Sequence, residues 1–268
     1  MSLAQYGTHD HTFVVCAYKE SPYLAECISS LLSQTKRTNI IVVTSTPNEH
    51  IESVCNRLNV PLLVGNHKSG IARDWSFGLS KAETPLVTIA HQDDVYKPQY
   101  AERMLDSVNS TENPLIYFCN YSELRDGEEV EDNGLLRVKR AMLLPLRINA
   151  LKSSRFIRRR ILSLGSPICC PSVTFVRPNL SEPVFTDELR CDLDWQAWER
   201  ISKLSGAFLY DQEICMSHRV HEGSETTALI RDDTRSKEDF IMFSCFWPEW
   251  VARVLVKLYS TSQRSNTL

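Results

Sequence analysis

The sequence is short of the features that mark several protein classes. Only 9 glycines and 12 prolines occur among 268 residues, which excludes collagen-like and low-complexity chains. The net charge is −3, so the chain as a whole gives no electrostatic reason to expect a nucleic-acid partner. No basic segment followed by an apolar stretch opens the chain, and we therefore expect no secretory signal. The 43% of hydrophobic residues is instead typical of a globular domain.

The nine cysteines lack the spacing of a disulfide framework or a metal site. Their number is odd, and no two of them are arranged as C-x-x-C. Cys16 and Cys119 lie inside apolar runs, where a free thiol behaves as a small buried hydrophobe. We therefore expect free thiols and a cytoplasmic location, because reducing compartments keep thiols unpaired.

Short apolar runs alternate with segments of helical periodicity in the first half of the chain. This alternation predicts β-α-β units, and hence a mostly parallel sheet with helices on both faces. In such sheets ligands bind beyond the carboxyl ends of the strands, which directs attention to residues 17–20, 44–46 and 91–94. The predicted strands are residues 12–17, 39–44, 61–65, 85–90 and 115–119.

The middle of the chain carries charge of one sign at a time. Residues 122–132 contain six acids and one arginine, whereas residues 137–160 contain nine Lys or Arg and no acid. Neither stretch predicts a strand. The basic, partly apolar stretch is open to three interpretations: a solvated face, a mobile loop, or a surface that meets an anionic membrane.

Beyond residue 170 the strand and helix pattern returns. We predict a strand at 172–176, a helix at 192–205 and a strand at 207–214. Residues 240–259 are strongly apolar, but Pro248 and three charged residues interrupt them, so they do not predict a membrane span. They predict one broad apolar helical face, suited to core packing, to a homodimer contact or to a peripheral membrane contact.

Asp93 and Asp94 form the most informative pair, because they directly follow a predicted buried strand. Adjacent carboxylates repel each other unless a cation joins them. Mg²⁺ and Mn²⁺ prefer oxygen ligands and often bridge carboxylates to the phosphates of a substrate. The alternative is a solvated turn in which an aspartate caps the next helix.

Four segments, taken together in their order and spacing, resemble the family 2 glycosyltransferases of the GT-A fold. The resemblance covers roughly residues 12–121 and 170–227. The segments are FVVCAYKESPYLAECISSLLSQT, NIIVVTSTPN, NHKSGIARDWSFGLSKAETPLVTIAHQDDVYKP with a variant DXD motif, and CDLDWQAWERISKLSGAFLYDQEICMSHRVHEGSET.

The resemblance implies a donor site for a nucleoside-diphosphate sugar. Asp94 would bind Mn²⁺ or Mg²⁺, Asp93 the ribose, and Arg73 the nucleotide or its diphosphate. A UDP-sugar is the first candidate donor, but residues 44–46 lack the acid with which many relatives contact the base, which leaves dTDP and GDP open. His91 replaces the acid that often starts the longer motif, so the metal would depend on Asp94 and the diphosphate. The residues implied to line the nucleotide are Ala17, Tyr18, Glu20 and Thr44.

The resemblance also implies a catalytic base and a diphosphate clamp. Inverting transfer needs a base near the acceptor hydroxyl, and alignment of DWQAW selects Asp194, while Asp192 stays open because Leu193 replaces a glutamate. Capping of the following helix is the structural alternative for both carboxylates. Arg219 would hold diphosphate oxygens, and His221 would join the metal.

These expectations combine into one GT-A domain over residues 1–268. Residues 12–121 would form its nucleotide-sugar-binding half, residues 122–239 its acceptor-side half, and residues 240–268 a C-terminal amphipathic helical segment. The predicted activity is inverting, metal-dependent transfer of a sugar to a glycan or lipid-linked glycan of a cell-surface polysaccharide, in the cytoplasm or at the inner face of the membrane.

Three alternatives stay open beside this activity. The first is a non-catalytic nucleotide- or glycan-binding module on the same scaffold. The second is a sugar nucleotidyltransferase, which would need a glycine-rich loop where this chain has CAYKESPY. The third is a membrane-surface scaffold that uses residues 137–160 and 240–259.

Overall fold

The structure, a computed structural model, describes residues 5–221 and 234–264. The strands are β1 (His11–Cys16), β2 (Asn39–Thr44), β3 (Leu62–Val64), β4 (Leu86–His91), β5 (Val95–Tyr96), β6 (Pro114–Arg125), β7 (Glu128–Val130), β8 (Val173–Val176) and β9 (Ala207–Val220). The α-helices of the described residues are α1 (Leu24–Leu32), α2 (Glu49–Leu58), α3 (Ile71–Lys81), α4 (Tyr100–Asn109), α5 (Gly134–Leu143), α6 (Asn149–Lys152), α7 (Arg155–Leu162), α8 (Leu193–Ile201), α9 (Thr234–Ser244) and α10 (Glu249–Arg264).

The nine strands form one sheet in the order β3-β2-β1-β4-β8-β6-β9-β5, with β7 paired to β6. The first four strands in this order are mutually parallel. β8 is antiparallel to both β4 and β6, and β9 is parallel to β6, so β6 and β9 run in the direction of β4. The predicted mostly parallel α/β sheet is therefore confirmed, and the carboxyl ends of β1 and β4 lie side by side.

Side chains of β1 show how the sheet forms a core on each face. Phe13 and Val15 belong to a buried cluster with α1, α2 and α4, whereas Val14 belongs to a second cluster with α3 and α8. All three side chains are fully buried. Because successive side chains of a strand point to opposite faces, an unbroken apolar run requires helices on both sides of the sheet.

The acidic stretch 122–132 forms a hairpin, although no strand was expected there. β6 continues through Glu123 to Arg125 and turns back into β7. Asp126 and Gly127 at the turn both have positive φ, 49° and 86°. An Asp-Gly pair is a strong hairpin signal, since a two-residue turn of this kind needs left-handed backbone. The acidic composition concealed that signal.

β9 is longer than predicted, and it contains one predicted site residue. The expectation was a strand at 207–214 with Arg219 beyond it, but β9 runs to Val220 and contains both Arg219 and His218. Its end pairs with the extended part of β6, so that Glu123 lies opposite His218 and Leu124 opposite Arg219. Backbone pairing with a neighbour, rather than apolar alternation, sets the length of this strand.

The basic stretch 137–160 is helical rather than a loop, and part of it is structural. Arg158 is only 1% exposed, and its guanidinium donates to the backbone carbonyls of Ser202, Leu204 and Gly206 after α8. Arg159 donates to Glu199 at 2.7 Å. These arginines therefore join α7 to the end of α8 by satisfying carbonyls that a helix terminus leaves unpaired.

The apolar residues 240–259, which were expected to form one helical face, are divided between two helices, α9 and α10, with Pro248 between them. α10 buries Ala252, while Trp250, Val254 and Leu258 are 72%, 53% and 65% exposed. The predicted face is thus divided between core packing and an exposed apolar stripe. No helix in the part of the chain that the structure describes is long and apolar enough to span a membrane.

His11, at the start of β1, couples the stability of the sheet to pH. Its side chain is fully buried, and its two ring nitrogens lie 2.9 Å from the hydroxyls of Thr38 and Thr88. Burial lowers the pKa of His11 to about 3, from an ordinary value of 6.5. The unfolded chain therefore binds a proton at mildly acidic pH that the folded chain excludes.

We predict that the free energy of unfolding falls as the pH is lowered from 6.5 to 3, because only the unfolded chain binds this proton. The loss should be about 2 kcal/mol between pH 7 and pH 5. Urea unfolding at both pH values measures it. His11→Gln should show a pH dependence weaker by that amount. His9→Gln is the matched control, because the His9 side chain is 84% exposed. Identical pH dependence of the wild type and both variants would contradict the prediction.

Candidate active site

A cleft of ≈ 840 Å³ opens at the carboxyl ends of β1 and β4. It brings together most of the predicted site. The predicted residues that line it are Ala17, Tyr18, Glu20, Asp93, Asp192, Asp194 and His221. Two paired loops form one wall, since the backbone of Tyr18 exchanges hydrogen bonds of 2.9 and 3.0 Å with the amide of Gln92.

Asp94 lies beneath the cleft and is fully buried. Its Oδ1 accepts hydrogen bonds from His218 Nδ1 at 3.0 Å and from the Arg219 backbone N–H at 2.9 Å. Burial opposes ionisation of Asp94, but these contacts and the nearby His91 outweigh it, and the pKa of Asp94 lies below its ordinary value. Asp94 is therefore an anion at neutral pH.

His91 completes a group that fits a divalent cation. Its ring stacks on Trp75, with centroids 5.0 Å apart, and burial lowers its pKa, so the imidazole is neutral. His91 Nε2 and Asp94 Oδ2 are both buried and have no hydrogen-bond partner among the described residues. Ligand atoms of His91, Asp93 and Asp94 lie within 4.8 Å of one another. Neutral imidazole and carboxylate are ligands that Mn²⁺ accepts.

The sequence indicated His91 only as a departure from a family acid, not as a site residue. Its position at the end of β4, two residues before Asp93, was the available signal. His221, predicted as a metal ligand, instead lies 3.0 Å from Asp93 through Nε2 and is not part of the three-residue group. Its role at the metal stays a prediction.

Arg219 is not among the residues that line the cleft, but its side chain binds the backbone of Asp93, which does line it. Its guanidinium donates to the Asp93 carbonyl at 2.8 Å and to Glu26 at 2.6 Å, and it lies 4.2 Å from the ring centroid of Tyr23. Only 8% of the residue is exposed. These contacts favour positioning of the Asp93 backbone, whereas the predicted diphosphate contact stays a prediction.

Two further predicted residues lie outside the cleft. Arg73, on α3, pairs with Asp187, while its neighbours Asp74 and Trp75 line the cleft. Thr44 is 1% exposed, and its hydroxyl accepts the backbone N–H of Thr46 at 3.0 Å. Neither contact tests the predicted nucleotide binding, which stays a prediction for both.

The other end of the cleft carries Asp192 and Asp194, around the start of α8. Burial and the neighbouring Asp239 raise the pKa of Asp192 well above its ordinary value, and the two carboxyls share a hydrogen bond. Burial also raises the pKa of Asp194, whose Oδ1 accepts the backbone N–H of Trp195 at 2.7 Å. Because Asp192 is 4% exposed and tied to a second carboxyl, Asp194 is the better placed of the two to receive a proton.

Glu238, on α9, fixes the segment that precedes these aspartates. Its carboxylate is 6% exposed and accepts the backbone N–H groups of Arg190, Cys191 and Asp192 at 2.7 to 3.1 Å. One buried anion thus satisfies three successive donors. Sequence analysis did not identify this residue, because nothing in its local pattern distinguishes it from other acids on a helix surface.

The model of the family described as glycosyl transferase family 2 matches residues 12–185, more than half of the chain. The chain belongs to this family. An uncharacterized family relative, a glycosyltransferase of Rickettsia typhi, is 23% identical over 222 residues, 82% of this chain. The chain spans 66% of that protein. Glycosyltransferase GlyG of Streptococcus pneumoniae is 27% identical over 41% of the chain and 39% of its own length.

Solved structures confirm the GT-A fold. S. aureus TarS 1–349, in complex with UDP-GlcNAc, superposes with a TM-score of 0.64 at 13% identity, covering 92% of this chain and 70% of that one. The mannosyltransferase PcManGT of Pyrobaculum calidifontis, in complex with GDP-Man and Mn²⁺, gives 0.63 at 14% identity, covering 94% and 70%. At such identities the likeness shows the fold alone. The end of the fourth segment that resembles the family, from residue 222 onward, lies outside the described residues.

We predict that Glu238→Gln destabilises the protein by about 1–3 kcal/mol, because a neutral amide with one acceptor oxygen cannot satisfy the three N–H groups that the carboxylate binds. Urea unfolding at neutral pH measures the change. Glu249→Gln is the control: that side chain is 67% exposed and pairs with Arg253, so its loss should cost less than about 1 kcal/mol. Equal losses in the two variants would show that Glu238 does not hold the segment.

Proposed function

We propose that the protein is an inverting glycosyltransferase that moves a sugar from a nucleoside-diphosphate sugar to a hydroxyl of a glycan. One observation carries the proposal: a single cleft in a family 2 chain is lined both by Asp93, the chain neighbour of the buried anion Asp94, and by a second aspartate, Asp194. In sugar transfer, one carboxylate group would hold the cation that neutralises the donor diphosphate, and a separate carboxylate would remove the proton of the acceptor hydroxyl.

The donor end would bind the nucleotide through the loops after β1 and β4. Ala17, Tyr18 and Glu20 would form the wall against base and ribose, and Asp93 would accept a ribose hydroxyl. His91, Asp93 and Asp94 would hold a divalent cation, Mn²⁺ or Mg²⁺, which supplies charge neutralisation for a diphosphate leaving group. Solved relatives of this fold bound to UDP-GlcNAc and to GDP-Man with Mn²⁺ support this donor class, and a UDP-sugar is our first candidate.

The acceptor end would supply the base. The Asp194 carboxylate takes the proton of the acceptor hydroxyl as the hydroxyl oxygen forms its bond to the anomeric carbon of the donor sugar. The bond from that carbon to the phosphate oxygen breaks on the opposite face, and the nucleoside diphosphate leaves with the electron pair. The raised pKa of Asp194 makes it a stronger proton acceptor than an exposed aspartate. Asp192 is the second candidate.

The acceptor we propose is a cell-surface glycan, lipid-linked in its growing form. The support is the exposed stripe of Trp250, Val254 and Leu258, together with Phe156, which is 68% exposed on the basic helix α7. Aromatic and cationic side chains suit the interface of an anionic membrane, which supports our proposal that the protein acts at the inner face of a cytoplasmic membrane. A homodimer contact is the alternative occupant of the stripe.

We predict that Asp94→Asn and Asp194→Asn fail in different ways. Asp94→Asn should lose the metal-dependent rise in melting temperature that UDP gives the wild type, because the cation loses an ionised ligand. Asp194→Asn should keep that rise but release nucleoside diphosphate from the donor about 10² to 10⁴ times more slowly, because a base is lost. Thermal-shift assays with UDP, dTDP, GDP and CDP, with and without Mn²⁺, and a diphosphate-release assay measure these effects.

The matched control is Asp106→Asn, whose side chain is 70% exposed on α4 and should alter neither readout. Nucleotide binding by the wild type without turnover of any donor would favour the non-catalytic module. A wild type that no nucleotide stabilises would overturn the donor site.

Binding to vesicles tests the membrane surface. We predict that the double variant Trp250→Ser, Val254→Ser floats less well than the wild type with vesicles rich in anionic lipid, because it removes exposed apolar area. The melting temperature should stay unchanged, since both side chains are exposed. A wild type that is a dimer in sedimentation, converted to a monomer by the same variant, would instead assign the stripe to a second copy.

A further inference from the structure

Lys139 is a cation of the basic stretch that the fold carries into the cleft. It lies on α5 and lines the cleft, although the sequence pattern assigned it no role. Its ammonium donates to the Tyr121 hydroxyl at 2.9 Å and lies 5.4 Å from the centroid of that ring. An ammonium has three N–H donors, and the described residues satisfy one of them.

Three other cations of the stretch form ion pairs with carboxylates. Arg137 and Arg140 interact with Asp132, and Arg159 interacts with Glu199. No carboxylate of residues 5–221 or 234–264 forms an ion pair with Lys139. A half-buried cation costs solvation energy, so its retention without an anionic partner points to an anion that the chain itself does not provide.

The position of Lys139 indicates which part of a ligand it meets. Lys139 lines the same cleft as Asp93, His218 and Asp194. Its side chain therefore borders the space that contains both the proposed cation site and the proposed base. In a transfer reaction the anionic group between a cation site and a base is the phosphate that leaves the sugar.

Arg235 is another cation that lines the cleft, and its surroundings differ from those of Lys139. It lines the cleft from α9, and its charge acts on Asp192, Asp239 and Asp194. Three carboxylates thus offset the charge of Arg235, although its Nε has no hydrogen-bond partner among the described residues. Lys139 influences one carboxylate, that of Asp194, and forms no ion pair with it.

We propose that Lys139 binds a phosphate group of the ligand in this cleft. The inference rests on the proposed function and adds a residue to it. The first source of that phosphate is the distal phosphate of the nucleoside diphosphate. As the bond between sugar carbon and phosphate oxygen breaks, the electron pair stays on that oxygen, and the Lys139 N–H groups stabilise the charge. The second source is a phosphate carried by the acceptor.

The experiment compares the affinities of nucleotides that differ by one phosphate. Isothermal titration with Mn²⁺ gives Kd for UDP and UMP, and for GDP and GMP, on the wild type and on Lys139→Met. We expect Lys139→Met to weaken the diphosphate about tenfold or more and to leave the monophosphate unchanged. Lys139→Arg should restore most of the difference. Lys152→Met, the same change on α6 outside the cleft, should match the wild type.

A second arm separates the two sources of phosphate. Glycerol 3-phosphate is titrated into each protein saturated with UDP. If Lys139→Met lowers this affinity and leaves the ratio of diphosphate to monophosphate unchanged, the phosphate belongs to the acceptor. Tyr121→Phe, which removes the hydrogen bond but keeps the ring, should produce a smaller loss in whichever arm responds.

Two results would overturn the inference and are distinguishable from each other. If Lys139→Met changes neither arm while the wild type binds UDP, Lys139 does not bind phosphate and the proposed function survives. If the wild type binds no nucleoside diphosphate, the donor site and the inference fail together. Melting temperatures of all variants establish that the comparison is made between folded proteins.

Discussion

The structure depends on neutralising one buried carboxylate. Asp94 has no exposed surface, and an unpaired charge in such a place costs several kcal/mol. Its partners, His218 and the Arg219 backbone, come from β9, more than 120 residues later in the chain. β9 must therefore extend past its apolar part, and β6 must extend beside it. The short strand β5 pairs Val95 with Ser217, which aligns the aspartate loop with these donors.

The two ends of the cleft shift carboxylate pKa values in opposite directions. Asp94 is surrounded by imidazoles and a backbone donor, so its pKa falls, whereas burial beside other carboxyls raises the pKa of Asp192 and that of Asp194 is raised by burial. Environments that separate the pKa values of neighbouring acids assign them different tasks. A permanent anion suits the holding of a cation, and a stronger proton acceptor suits the acceptor hydroxyl. From sequence alone, Asp94 and Asp194 are both aspartates with the same ordinary pKa, and nothing distinguishes their chemistry.

Local pattern was sufficient to predict the half of the fold that ends near residue 121. Its strands are apolar runs bounded by turns, and its site residues directly follow them, as Asp93 follows β4. The later half could not be predicted in the same way. The end of β9 is polar and owes its strand conformation to pairing with β6, and Glu238 acts on backbone N–H groups 46 to 48 residues earlier. Long-range hydrogen bonds leave no periodic trace in a sequence.

The family model ends at residue 185, before either candidate base. The later helices build the acceptor end: α8 carries Asp194, and α9 fixes the preceding segment through Glu238 and offsets its charges through Arg235. Tyr259 on α10 completes the wall. The helices that contribute these residues also carry the exposed stripe of α10, so the surface proposed to meet an acceptor-bearing membrane and the proposed base belong to one packed unit. A change in the packing of α10 would therefore reach the base through Trp195, whose ring lies 6.1 Å from that of Tyr259.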